Sequence, residues 1–127
     1  MLYYRISTDL SVTEINKLLD DEDAIIVSLV AVTSELQLEL AEHLAKSSFE
    51  QKINLANKFK YEFLLWLTGK RDIRSAMNVT LPKNTDDSLL VIFGKTRKFE
   101  NINLIKIKLS RTFNPIALER ISTSRVF

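Results

Sequence analysis

The chain has 127 residues, 46% hydrophobic and 27% charged, with no cysteine and a net charge of +2. That balance suits one soluble globular domain with a real core. The lack of cysteine excludes disulfide frameworks, thiolate metal sites, iron–sulfur clusters and cysteine nucleophiles, and with Gly69 and Gly94 as the only glycines the glycine-rich nucleotide fingerprints are excluded too.

Leu2 to Ser7, rich in aromatic and β-branched residues, reads as a strand. The N-terminal run lacks the basic and then apolar segments of a signal peptide. No apolar run reaches the roughly 18 residues of a membrane span, so the expectation is a cytoplasmic protein. Ser11 with Glu14 three residues later makes a capping box opening a helix that carries Val12, Ile15, Leu18 and Leu19 inward. Asp20, Asp21, Glu22 and Asp23 follow as an acidic turn, without the spaced ligands and central glycine of an EF-hand loop. The run from Ala24 to Val32, AIIVSLVAV, reads as a central strand buried on both faces.

Thr33 or Ser34 then caps a long helix to about Phe49. Leu36, Leu40 and Leu44, with Ala41 and Ala45, form its expected inner stripe, and Glu35, Glu39, Glu42 and Lys46 its outer side. His43, the single histidine, reads as a surface or boundary residue with no second histidine beside it. Next, Leu55, Phe59, Phe63 and Leu67 recur every fourth residue and stack on one face of a helix. Ala56, Leu64 and Trp66 widen that face, and Leu65 falls outside it. Glu62 lies four residues from Lys58, the spacing of a surface ion pair. Gly69 ends the helix, Lys70 and Arg71 form a basic corner, and Asp72 caps a short helix through Ile73, Ala76 and Met77.

Leu81 to Asp87 is a turn-rich polar loop. Leu89 to Phe93 reads as a strand ended by Gly94, followed by a basic turn with Lys95, Arg97 and Lys98. Asn103 to Leu109 alternates, with Leu104, Lys106 and Lys108 on one face and Ile105, Ile107 and Leu109 on the other, as in a half-exposed strand. Asn114-Pro115 opens a last short helix through Ile121. The order predicts an α+β (mixed α/β) fold with one mixed sheet of about four strands packed with helices, a single domain over residues 1–127.

Charge is divided unevenly along the chain. Residues 1–50 hold 3 basic and 10 acidic side chains and residues 51–127 hold 15 and 6, so the first part carries −7 and the second +9. Such a split suggests two partners, or one partner docked at the basic side, unless folding interleaves the two halves and cancels the field. No histidine pair, triad or phosphate loop supports catalysis. A small metal-dependent nuclease using Glu62 or Asp72 is the weakest alternative, since capping and ion pairing already account for both. Lys70, Arg71 and Arg74 surround a helix N-terminus, where arginine forks and backbone amides favour an anion and Ile73 or a nearby aromatic could stack an unpaired base; taken alone, the cluster also reads as a solvated basic loop.

The run Ala56-Asn57-Lys58, then Glu62-Phe63-Leu64-Leu65-Trp66-Leu67-Thr68-Gly69-Lys70-Arg71-Asp72-Ile73-Arg74-Ser75-Ala76, resembles the signature of the PRPK-binding-protein family, the Cgi-type small subunit of KEOPS. Glu62, Gly69, Arg71, Ile73 and Ala76 match its pattern. Asp72 stands where the archaeal pattern has Gln, and the glycine that usually ends the short helix is missing. The likeness is specific over about 25 residues, and the length is closer to the archaeal branch.

The resemblance implies a single KEOPS small-subunit-like domain and a non-catalytic role, with no cofactor, no metal, no membrane and no small-molecule substrate. KEOPS attaches a threonylcarbamoyl group to the adenosine beside the anticodon of ANN-decoding tRNAs. This family binds the atypical kinase/ATPase subunit and captures tRNA by its 3′ CCA end, while the transferase subunit does the chemistry. The residues implied for tRNA are Lys70, Arg71, Ile73 and Arg74, extended by Lys58, Lys60, Lys95 and Lys98. Those suggested for the kinase are Leu38, taken as an exposed anchor, with Glu35, Glu39 and Glu42. The alternative is a diverged paralogue or a purely structural interaction subunit without tRNA affinity.

Overall fold

In the computed structural model, residues 1–32, 34–94, 99 and 101–109 are described. They form an α+β fold of four α-helices and one four-stranded sheet. Contacts divide the chain into two compact units, one made of Met1–Ala31 with Leu81–Lys108 and a second that contains Val32–Thr80.

The first unit carries the sheet. Its strands are β1 (Leu2–Ser7), β2 (Ala24–Ser28), β3 (Ser88–Ile92) and β4 (Asn103–Ile105), in the order β2-β3-β1-β4. Each pairing is antiparallel, with Leu2 opposite Ile92, Ala24 opposite Ile92 and Ile6 opposite Leu104. The apolar run expected to form a central strand through Val32 is therefore shorter and lies at one edge of the described sheet. Continuous apolarity reports burial on both faces, not rank in the hydrogen-bond order. Ser28 ends the strand: its hydroxyl donates to Asp87 Oδ2 at 2.7 Å and accepts from the Val30 amide at 3.2 Å. The chain then turns through a 3₁₀ segment, Leu29–Ala31, which leaves Val30 80% exposed.

Helix α1 (Val12–Leu19) starts at the capping box read from sequence. Ser11 Oγ accepts from the Glu14 amide at 3.2 Å, and the Ser11 amide donates to Glu14 Oε1 at 3.3 Å. Ile15 and Leu19 join Ile6, Ala24, Ile26, Leu90, Ile92 and Ile102 in one core cluster, with Val12 packed against it. Leu18, expected inward, is 47% exposed, because the helix buries a narrow stripe one residue wide per turn. β4 is also shorter than expected, and its three residues are all exposed, Ile105 included.

The second unit is helical. Helix α2 (Glu35–Glu50) is capped by Ser34, whose hydroxyl accepts from the Gln37 amide at 3.1 Å; Thr33 lies outside the described residues. Of the expected inner stripe, Ala41 and Ala45 are buried, but Leu36, Leu40 and Leu44 are not. Gln37, Leu38, Ala41, Ala45 and Ser48 are buried, and the three leucines are half-buried. Ser48 fixes the direction: its hydroxyl accepts from Trp66 Nε1 at 2.8 Å and donates to the Leu44 carbonyl at 2.9 Å. Ala41 and Ala45 share that face, and small side chains there let the next helix approach closely.

Helix α3 (Phe59–Thr68) is buried around nearly its whole circumference, so Leu65, expected outside, is inside. It begins later than the four-residue spacing implied: Leu55 sits in the preceding loop, 53% exposed. Gly69 ends it in the left-handed region at φ 73°, its amide bonded to the Leu65 carbonyl at 3.0 Å. Helix α4 (Ile73–Thr80) follows, burying Ala76 and Thr80. Among the described residues no helix is long and apolar enough to cross a membrane.

Candidate nucleic-acid interface

The turn between α3 and α4 is fixed by its own backbone. Thr68 Oγ1 donates to the Leu64 carbonyl at 2.8 Å and accepts from the Lys70 amide at 3.3 Å. Asp72 caps α4 as read from sequence: Oδ1 accepts from the Ser75 amide at 2.8 Å, and the Asp72 carbonyl accepts from the Ala76 amide at 3.1 Å. On this frame Lys70, Arg71, Asp72, Ile73 and Arg74 are all exposed. Four of the residues assigned to nucleic acid thus come together on one short turn: two arginines, a lysine and an aliphatic side chain.

Asp72 alters how an anion would be held there. The Ser75 amide holds its carboxyl below the ordinary value of 3.8, helped by the Ser75 hydroxyl and then by the charges of Arg74 and Lys70. A carboxylate is therefore already bonded to the start of α4. A phosphate at this corner would meet the side-chain forks of Arg71 and Arg74 more than the helix amides.

The wider basic track is smaller than expected. Lys58 is exposed at the N-cap of α3, about 15 Å from Gly69 along a ten-residue helix. Lys60 is buried, with Nζ 5.4 Å from the centre of the Tyr61 ring, and does not belong to a surface track. A helix buried all round takes its lysine with it. Lys95 and Lys98, like Arg97 and the helix expected over residues 114–121, lie outside the described residues.

The anchor proposed for the kinase is also corrected. Leu38 is fully buried, on the same side of α2 as Ala41 and Ala45. Glu39 is exposed, Glu35 and Glu42 are half-buried, and Glu42 lies 3.7 Å from Lys46. His43 is exposed. Among the described residues no group of three or more histidines, cysteines or carboxylates gathers as a metal site would require.

Glu62, taken for half of a surface ion pair, is fully buried. Its Oε1 accepts from the amides of Leu55 at 2.9 Å and Ala56 at 3.0 Å, and Oε2 accepts from Trp66 Nε1 at 3.1 Å. The carboxylate ties the loop before α3 to the helix itself and so delays the helix start to Phe59. A signal was present in sequence: a lone carboxylate four residues before a tryptophan, inside an otherwise apolar run. Neither a protein-family model nor a curated protein matches the chain.

Proposed function

We propose that the chain is a non-catalytic, cytoplasmic subunit of the KEOPS type. In this reading it binds the atypical kinase/ATPase and recruits tRNA through its 3′ CCA end for threonylcarbamoyladenosine formation. The observation that carries the reading is the fixed turn at Gly69, which holds Lys70, Arg71 and Arg74 in solvent around Ile73. Guanidinium forks on a rigid backbone suit phosphates of a single-stranded end, and Ile73 offers an apolar surface beside its bases. Lys58 adds charge at the far end of α3. Among the described residues the track comprises Lys58, Lys70, Arg71 and Arg74, without Lys60.

A second reading, a structural interaction subunit without tRNA affinity, is favoured by Asp72. Its carboxylate stands among the cations and opposes a phosphate. A titration of intact tRNA against the purified protein at two salt concentrations separates the readings. Under the first, affinity falls with salt, needs the CCA end, and drops in Arg71→Glu with the salt slope reduced by about one. Absence of tRNA binding, with the kinase still bound, selects the second.

A further inference from the structure

The loop between α2 and α3 is held in one way and displays something else. At the end of α2 the Lys52 amide bonds to the Phe49 carbonyl at 3.2 Å, and the Ile53 amide to the Ser48 carbonyl at 2.9 Å. This is the hydrogen-bond pair of a Schellman helix end, and Lys52 occupies its left-handed position at φ 58°, where glycine is usual. Such an ending normally folds its next residue, here Ile53, onto an apolar side chain of the last turn. The matching position is Ser48, whose hydroxyl is engaged by Trp66 and Leu44, and Ile53 is left 54% exposed. Asn54 Nδ2 then donates to the Ala56 carbonyl at 2.8 Å, and Glu62 grips the amides of Leu55 and Ala56. The rings of Phe49 and Phe59, 6.0 Å apart, close the base. The loop is fastened along its length, yet Ile53 and Leu55 stand in water.

A fully buried carboxylate is costly to desolvate, and here it orders a segment whose own aliphatic side chains stay out of the core. A loop ordered in advance loses less entropy when a partner closes on it. Backbone strain at a non-glycine residue, as at Lys52, is characteristic of segments kept for binding.

We propose that the 52–58 loop is a docking element for a folded protein whose surface presents an aliphatic cleft rimmed by carboxylates. Ile53 and Leu55 fill the cleft. Lys52 and Lys58, exposed at the two ends of the loop, set the sign of the rim by charge complementarity. The proposal rests on the functional reading above in one respect, that the partner is the atypical kinase/ATPase; the loop supplies the contact that buried Leu38 does not.

The test titrates the full chain against the purified kinase, using wild type, Ile53→Asp with Leu55→Asp, Lys52→Glu with Lys58→Glu, and Arg71→Glu. The aspartate pair loses roughly 30-fold or more in kinase affinity while keeping the urea midpoint and tRNA binding of wild type. The lysine pair weakens association and its salt dependence, and Arg71→Glu binds the kinase as wild type does. If the aspartate pair shifts the urea midpoint, Ile53→Gln with Leu55→Gln gives the same readout. Undiminished kinase binding by a folded loop variant overturns the loop proposal and leaves the functional reading standing. Wild type binding neither kinase nor tRNA removes both. Loss of tRNA in place of kinase binding by the aspartate pair overturns it, as does a self-associating wild type that the loop variant turns monomeric.

Discussion

Two turns flank α3, and each is organised by a carboxylate that accepts backbone amides. At the start, Glu62 is fully buried and takes the amides of Leu55 and Ala56. At the end, Asp72 is exposed and takes the amide of Ser75. The bonds are alike in length, but water competes for one and not for the other. The first turn hides its carboxylate and shows Ile53 and Leu55 between Lys52 and Lys58, whereas the second leaves its carboxylate in solvent among Lys70, Arg71 and Arg74. The contrast between the turns is therefore the burial of the carboxylate.

The largest expected effect tests the role of burial. Glu62→Ala leaves two buried amides without their acceptor and opens a cavity, and is expected to cost about 3–5 kcal/mol in urea unfolding. Glu62→Gln keeps one acceptor oxygen but sets an NH₂ group against the Trp66 indole, for about 1–3 kcal/mol. A cost well under about 1 kcal/mol for the alanine variant would show that burial does not distinguish the two carboxylates. Trp66→Phe comes next, at about 1–2 kcal/mol, because it removes an indole N–H that reaches both Ser48 and Glu62.

The legible parts of the chain are those governed by short-range rules. The Ser11–Glu14 box, the Gly69 stop and the Asp72 cap each depend on residues within four positions of one another, so sequence spacing carries them. The face of α2 was legible only in part. Ala41 and Ala45 are buried as expected, but leucine spacing also pointed to Leu36, Leu40 and Leu44, which are half-buried, while α3 packs on the side where Ala41, Ala45 and Ser48 allow close approach. The start of α3 was missed for a related reason, since a tertiary bond from Glu62 competes with helical propensity at Leu55 and Ala56. Within the candidate site, Lys70 to Arg74 could be read because consecutive residues on a turn share exposure. Lys60 could not, because its burial depends on what surrounds α3.

Smaller effects sharpen the contrast between the turns. Gly69→Ala forces a side chain into φ 73° and is expected to cost about 1 kcal/mol. Lys52 already bears such strain at φ 58°, so Lys52→Gly is expected to gain about 0.5–1 kcal/mol. Both are read from urea midpoints.

The smallest effect isolates the charge of Asp72. Its folded carboxyl titrates below the ordinary 3.8, chiefly because it accepts the Ser75 amide. A depressed folded value means that the stabilisation is complete above 3.8 and is lost as pH falls through that value and on through the lower folded one. Asn caps helices nearly as well as Asp, so Asp72→Asn removes charge while keeping an acceptor. The wild type is therefore expected to be slightly more stable at pH 7, with the gap closing as pH falls through 3.8 and then through the lower folded value. The same variant is expected to bind tRNA a few-fold more tightly at pH 7, since a negative charge leaves the company of Lys70, Arg71 and Arg74. A gap that persists in acid would mean that Asp72 acts only as a hydrogen-bond acceptor. Burial would then be the whole difference between it and Glu62, and the opposition between charge and phosphate at this corner would lose its basis.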